Sequence, residues 1–390
     1  MLTKNVKFKN FVGKKNLKLN KILRKVIKDK ALIKKYPLLQ SLTSKFKYSY
    51  NNKNIKSFKS YSKVNLIGMG GSILGAKTIY SFLKHKVKKK FSFYDNLQFQ
   101  NILKSNKKNI NLVISKSGNT IETISNFNLL LQKQKNNKNI ILCEKNNNFL
   151  SFLAKKLKAE IFEHKNYIGG RYSVLSETGM LPAELMGLNE KKFKRFNYLI
   201  KNKYFINALI GNVISIVTQI KQGRTNSVIL NYDEKSNDLF KWYQQLIAES
   251  LAKNGKGIFP IVSTMPKDNH SLLQLYLDGP KNNFYTFFSV RETNSQKLNN
   301  SNLFEKYSIL KNKNIYEILN SQKKATENVF LGKKIPFRSF EIINRNEETL
   351  GELFCFFILE TILLGYLLKV NPFDQPGVEL LKNETKKLLI

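Results

Sequence analysis

Glu249 and His270 are the two proton carriers around which the chemistry of this chain is most easily built. They lie 21 positions apart in FKWYQQLIAESLAKNGKGIFPIVSTMPKDNHS (240–271), which also holds the only tryptophan, Trp242. A carboxylate that takes a proton and an imidazole that gives one are ordinary parts of acid–base catalysis. Alone, each is better explained as a solvated side chain, since most glutamates lie on the surface. A second kind of chemistry is carried by two loops. GMGGS (68–72), which ends in Gly71 and Ser72, and SKSGNT (115–120) each follow an apolar run and open an amphipathic one. Such a loop aims backbone N–H groups and the positive end of a helix at an anion. Ser115, Ser117, Thr120 and Thr123 offer hydroxyls, and Asn119 with Glu122 has the spacing of a capping box. No Gly-Lys-Ser/Thr completes a Walker loop, and a dinucleotide fingerprint would need glycine where Ile73 stands. The pair reads as a phosphate site with no nucleotide-specific feature, although glycines that merely allow tight turns would look the same.

The elements that must position these residues follow from periodicity. Strands are expected at 64–67, 91–94, 111–115, 139–143 and 160–162, separated by amphipathic helices. After the loop HKNYIGGRYS (164–173) a helical section leads to a second series. It comprises a long helix near 204–221, strand 227–232, a helix through Lys253, a buried strand 258–262, strand 284–290, helices between 302 and 329, strand 335–343, and an apolar helix 347–370. Short apolar strands alternating with helices predict an α/β fold with two doubly wound, mainly parallel sheets. The expected divisions are a basic helical segment at 1–60, α/β domains at 61–200 and 201–370, and a C-terminal arm at 371–390.

The formal charge of +40 would ordinarily suggest nucleic acid. Only seven of the 67 cations are arginine, the residue that reads base edges, and the lysines are spread through every segment. That pattern is a compositional drift, so no dedicated nucleic-acid partner is expected. Cys143 and Cys355 stand 212 positions apart without a CxxC or clustered histidines, which argues against a disulfide framework or metal site and fits a reducing cytoplasm. No signal peptide is expected. Glu360 interrupts the apolar run 353–370, and neither half approaches the roughly 20 apolar residues of a membrane span. A core or interface helix is expected there.

Five motifs in order resemble the phosphoglucose isomerase family: IGMGGSILG (67–75), SKSGNTIET (115–123), NYIGGRYS (166–173), QQLIAES with His270 downstream, and FDQPGVELLK (373–382). One departure is Ala252, where that family often has glycine before the lysine. The resemblance implies two sugar-isomerase-type domains and cofactor-free interconversion of glucose 6-phosphate and fructose 6-phosphate in the cytoplasm. It assigns the C1–C2 proton transfer to Glu249 and stabilisation of the enediolate oxygen to Arg171. Ring opening falls to His270 and Lys382, and sugar or phosphate contacts to Gln245 and Gln375. Lys116 is expected to act through its backbone or its field. The family lends the histidine across a subunit boundary, so a homodimer is implied. A related isomerase that also takes mannose 6-phosphate, or a phosphosugar sensor without turnover, are the alternatives. A sensor has no use for Glu249, His270 and Lys382 together.

Overall fold

Among the described residues ten strands form in chain order: β1 (Val6–Lys9), β2 (Lys63–Ile67), β3 (Lys90–Tyr94), β4 (Ile110–Ile114), β5 (Lys138–Cys143), β6 (Glu160–Glu163), β7 (Asn226–Asn231), β8 (Phe259–Thr264), β9 (Asn283–Val290) and β10 (Phe337–Ile342). The computed structural model describes residues 1–13, 16–28, 32–97, 109–292, 294–298 and 308–389. Two five-stranded sheets result, ordered β3-β2-β4-β5-β6 and β1-β10-β9-β7-β8. All pairings are parallel except β1 with β10. The α/β class with parallel sheets is as expected. In the first sheet the chain winds outward from β2 to β3, then returns to start β4 on the other side. The second sheet reverses in the same way between β7 and β9. Each sheet therefore has a crevice at the carboxyl ends of two neighbouring strands, where α/β folds bind ligands.

Burial follows from this layering. Every residue of β4 is buried, as is most of β9, because helices cover both faces. Asn65 and Asn111 lie fully buried in β2 and β4. They bond to each other at 2.9 Å, and the chain continues to Gln134 and Asn139. A buried amide without a partner would cost on the order of 1–3 kcal/mol, so the ladder keeps the polar strand residues tolerable.

Three details depart from expectation. Residues 1–60 were expected to be helices and connectors, but Val6–Lys9 adds an antiparallel edge strand to the second sheet. Val6 is buried and Lys7 points out to Glu341 at 3.2 Å. A four-residue alternation is too short to stand out among lysines. The strand at 258–262 is displaced to Phe259–Thr264. It is an edge strand only partly buried, with Phe259 67% exposed. Of the helices expected between 302 and 329, residues 302–307 lie outside the described residues, and the main helix runs Ile315–Gly332.

The helix Asn237–Leu251 joins the two halves. It follows β7 of the second sheet yet packs against the helix Leu74–Phe82 of the first and against Glu347–Leu368. Its buried face is Leu239, Phe240, Trp242, Tyr243, Leu246, Ile247 and Leu251, a helical spacing. A buried ion pair fixes its rotation: Tyr243 donates to Glu360 at 2.8 Å, and Glu360 pairs with Arg338, both fully buried. Glu347–Leu368 and Lys203–Lys221 are long and apolar enough to cross a membrane by length and composition. Glu347–Leu368, however, is buried without a break from Thr349 to Gly365, the core helix that Glu360 in mid-run implied.

Candidate active site

The first crevice is built by sequence that suits it. β2 ends at Ile67 and β4 at Ile114, paired side by side, and the two Gly/Ser loops leave from them. Gly70 has φ +52°, and a Cβ there would lie 2.7 Å from the Gln245 amide nitrogen. A Cβ on Gly71 would fall 2.2 Å from the carbonyl carbon of Gly170, so only glycine lets these two segments meet. Gly118, at φ +67°, turns the second loop. Ser115 is buried and shares a 2.8 Å hydrogen bond with Thr120, while Ser117 is exposed and its oxygen accepts from the Asn119 amide. Thr123 is buried and its hydroxyl has no partner. Ser72 is half-buried beside Gly68. The expected Asn119–Glu122 capping box does not form. Thr120 is the N-cap and makes no side-chain cap, and the Asn119 oxygen accepts instead from the amide of Phe149 at 3.0 Å, tying neighbouring loops together. The Lys116 ammonium donates to the Asn166 carbonyl at 2.8 Å and pairs with Glu144 at 3.6 Å, linking this loop to the one that carries Arg171.

Beside the crevice, Glu249 is held at both oxygens. Gln245, one turn earlier on the same helix, donates to Oε1 at 2.8 Å, and Arg171 Nη1 donates to Oε2 at 3.1 Å. The other Gln245 amide atom, Oε1, is buried without a partner. Arg171 is almost fully buried, and all five of its N–H groups are used. Nε donates to Ser250 at 2.8 Å and Nη2 to the carbonyls of Pro372 and Asp374 at 2.8 and 2.9 Å. Nη1 is shared between Glu249 and the side-chain oxygen of Gln375. Tyr172 supports the same assembly, its hydroxyl bonding Ser250 at 2.9 Å and Pro372 at 3.0 Å. Burial pushes that phenol up to about 12. Four segments far apart in sequence thus converge: the 68–72 loop, the Gly-Gly-Arg turn, the Glu249 helix and residues 372–375.

His270 and Lys382 stand apart. His270 is exposed at the end of the short turn Lys267–Asn269, which Asp268 organises by accepting from Thr264 and Ser271 at 2.8 and 3.1 Å. Lys382 is exposed on the helix Pro376–Leu389, none of whose residues is buried, and pairs with Glu379 at 2.7 Å. Among the described residues, neither bonds to Glu249, Arg171 or Gln375. Ser250, Tyr172, Lys253 and the carbonyls of 371–374 are site-building groups that sequence reasoning passed over. Their signal was present only as the Ser and Lys of AESLAK and the Tyr of GGRY. His164 was likewise passed over. It is buried at the end of β6, its Nδ1 3.1 Å from the Lys165 carbonyl, and burial drives its imidazole down to about 4.

A pocket of about 210 Å³ opens next to the cluster, lined in part by Tyr36, Lys116, Gly169 and Tyr172. A cavity of about 620 Å³ sits at the opposite end of the second sheet and contains none of the motif residues. Its cations, Lys9, Arg224 and Lys334, lie near the ends of the helices Lys203–Lys221 and Ile315–Gly332, where positive charge is the ordinary complement of the helix dipole. Among the described residues there is no group of three or more His, Cys, Asp or Glu able to hold a metal.

Comparison with known proteins bears on this arrangement directly. The family model described as phosphoglucose isomerase matches residues 38–389. The chain belongs to the phosphoglucose isomerase family. It is 32% identical over 361 residues to a glucose-6-phosphate isomerase of Methanocaldococcus jannaschii, covering 87% of this chain and 86% of that one. It is 33% identical to the glucose-6-phosphate isomerase of Mycoplasmopsis synoviae, over 84% of this chain and 82% of the other. Among solved structures, a glucose-6-phosphate isomerase from Chlamydia trachomatis superposes with a TM-score of 0.71 at 16% identity, covering 93% of this chain and 75% of that one. That likeness shows the fold alone. The phosphoglucose isomerase match starts at residue 38 and so leaves β1 outside it, although β1 completes the second sheet.

Proposed function

We propose that this chain interconverts glucose 6-phosphate and fructose 6-phosphate by a cofactor-free, enediolate mechanism centred on Glu249. The observation that carries the reading is the Glu249–Arg171–Gln245 cluster set against the hydroxyl-lined crevice. The substrate phosphate enters that crevice, met by the hydroxyls of Ser115, Ser117, Thr120 and Thr123 and by backbone N–H groups of the loop beyond Ser115, with Ser72 from the facing loop. Lys116 adds positive field. The open-chain sugar then extends toward Glu249. Its carboxylate removes the C2 proton of the aldose as the electrons move toward O1, a proton passes from O2 to O1, and the abstracted proton returns to C1 as the C2 carbonyl of the ketose forms. Arg171 answers the negative charge that develops on oxygen, since a donor fixed in a buried site is worth more there than in water. Because all its donors are engaged, a substrate oxygen reaches Nη1 by replacing Gln375 or the Glu249 oxygen. Gln375 is the neutral and more easily exchanged of the two, and its released amide is then placed to contact the sugar.

His270 and Lys382 open the ring as acid and base, one giving a proton to the ring oxygen and the other taking the proton of the anomeric hydroxyl. Both are exposed and lie outside the Glu249 cluster, so the complete site takes form in a homodimer in which His270 reaches the pocket of the neighbouring subunit. A cytoplasmic location fits the two buried, unpaired cysteines. A sensor without turnover would have no use for a carboxylate held between an arginine and an amide. Purified protein is assayed with fructose 6-phosphate by coupling glucose 6-phosphate formation to its oxidation. Turnover is expected, and Glu249→Gln should lower kcat at least about 100-fold, the lower range for a positioned general base. Wild-type protein without turnover would overturn the proposal.

A further inference from the structure

Lys253 belongs to a motif, AESLAK, whose glutamate the mechanism uses and whose lysine it does not. Its side chain is only 10% exposed. It donates to the carbonyls of Glu249 and Ser250 at 3.0 and 2.7 Å, and to the Asn371 carbonyl at 2.7 Å. It also lies 3.2 Å from the Asp374 carboxylate. The first two are last-turn carbonyls that a helix leaves without an internal partner. The other two belong to the segment that Arg171 also grips, through the Pro372 and Asp374 carbonyls. Two cations therefore hold residues 371–374 between them. Gln375 follows immediately and meets Arg171, and the Lys382 helix starts at Pro376.

We propose that Lys253 is a positioning residue for the isomerisation: it closes the end of the Glu249 helix onto residues 371–374 and so sets where Gln375 meets Arg171 and where the Lys382 helix begins. The inference rests on the reading of Glu249 and Arg171 as the reacting pair. Loss of the ammonium group leaves the Arg171 contacts in place, so the segment stays attached but can pivot. A shift on the order of 1 Å at a positioned group costs about 100-fold in rate. Lysine offers three N–H donors to four oxygens drawn from two segments, and no apolar side chain can replace that.

The test is a set of variants assayed with fructose 6-phosphate and melted in parallel. Lys253→Met is expected to lower kcat/KM about 10–100-fold, and Lys253→Arg to recover part of the loss. Asp374→Asn, which keeps the lysine and all backbone contacts, should lose several-fold in the same direction and remains informative if Lys253→Met does not fold. The losses of Lys253→Met and Gln375→Ala should not multiply in the double variant, because both act on one contact. Wild-type kcat/KM in Lys253→Met, or losses that multiply with Gln375→Ala, would overturn the proposal. Glu249→Gln assayed alongside separates the two ideas. If it is inactive while Lys253→Met is normal, only the lysine's role fails. If it is fully active, the reading of the site fails.

Discussion

The two sheets share a winding pattern and differ in what fills the crevice each one creates. At the ends of β2 and β4 the loops 68–72 and 115–120 carry glycines, hydroxyls and one lysine, with no carboxylate. At the ends of β7 and β9 the corresponding place is taken by Asp233 and Glu292, and Arg345 closes over both. Arg345 bonds Asp233 in two places, at 2.6 and 3.2 Å, and Glu292 at 3.0 Å. Lys235 lies 3.4 Å from Glu292. The Arg345 and Asp233 side chains are only 8% and 10% exposed, and Phe82 of the first half stacks on the guanidinium at 4.9 Å. One crevice is open to an anion, while the other is already occupied by the chain's own carboxylates. The second half instead contributes the helix that follows its crevice, which delivers Gln245 and Glu249 to the first. Winding alone therefore does not make a site, and the residue chemistry at the strand ends decides which crevice binds.

Placing a carboxylate in the open crevice is the largest perturbation of this contrast. Ser115→Asp puts a charge at a buried position facing the proposed phosphate site. Two like charges about 4 Å apart at an intermediate dielectric repel by a few kcal/mol, so KM for fructose 6-phosphate should rise about 100-fold. An unchanged KM would break the comparison. The mirror change, Asp233→Asn in the filled crevice, strips a largely buried arginine of its bidentate partner. Unfolding free energy from urea titration should fall by about 3 kcal/mol while KM stays within about twofold. Should KM move as much as stability, the second crevice would have a hand in binding.

A smaller effect concerns the rim of the first sheet. His164 titrates near 4 in the fold because burial disfavours its charge, while the unfolded imidazole titrates near its ordinary 6.5. Protonation thus favours the unfolded chain. The contribution is intact above pH 6.5 and is lost as pH falls toward 4, amounting to about 2 kcal/mol at pH 5. Since His164→Asn cannot titrate, the stability gap between wild type and variant should narrow by that amount between pH 7 and pH 5. A gap that stays constant would contradict the assignment.

Local pattern carried the two Gly/Ser loops of the first crevice, because a Gly/Ser/Thr loop between an apolar strand and a helix is a contiguous signal. The alternation of strands and helices likewise carried both sheets. Glu249 and Arg171 were legible only through the resemblance of their motifs, since nothing within a few residues of either sets it apart from a solvated charge. What stayed hidden depends on distant pairings. Arg171 meets Gln375 across 204 positions, and Lys253 meets Asn371 across 118. The filling of the second crevice needs Arg345 to reach Asp233, 112 positions away. Asn119 misled for the opposite reason: its capping spacing was correct, but a neighbouring loop offered the Phe149 amide as a better-placed donor.

The account stands or falls on Glu249 as the group that moves the proton between carbons. A carboxylate partly open to solvent exchanges its proton with water between abstraction and return. Fructose 6-phosphate turned over by the wild-type protein in D2O should therefore yield glucose 6-phosphate carrying deuterium at C2, visible by NMR. Glu249→Gln should show incorporation slower by at least about 100-fold while keeping its fold. Deuterium appearing at the wild-type rate in that variant would contradict the central claim.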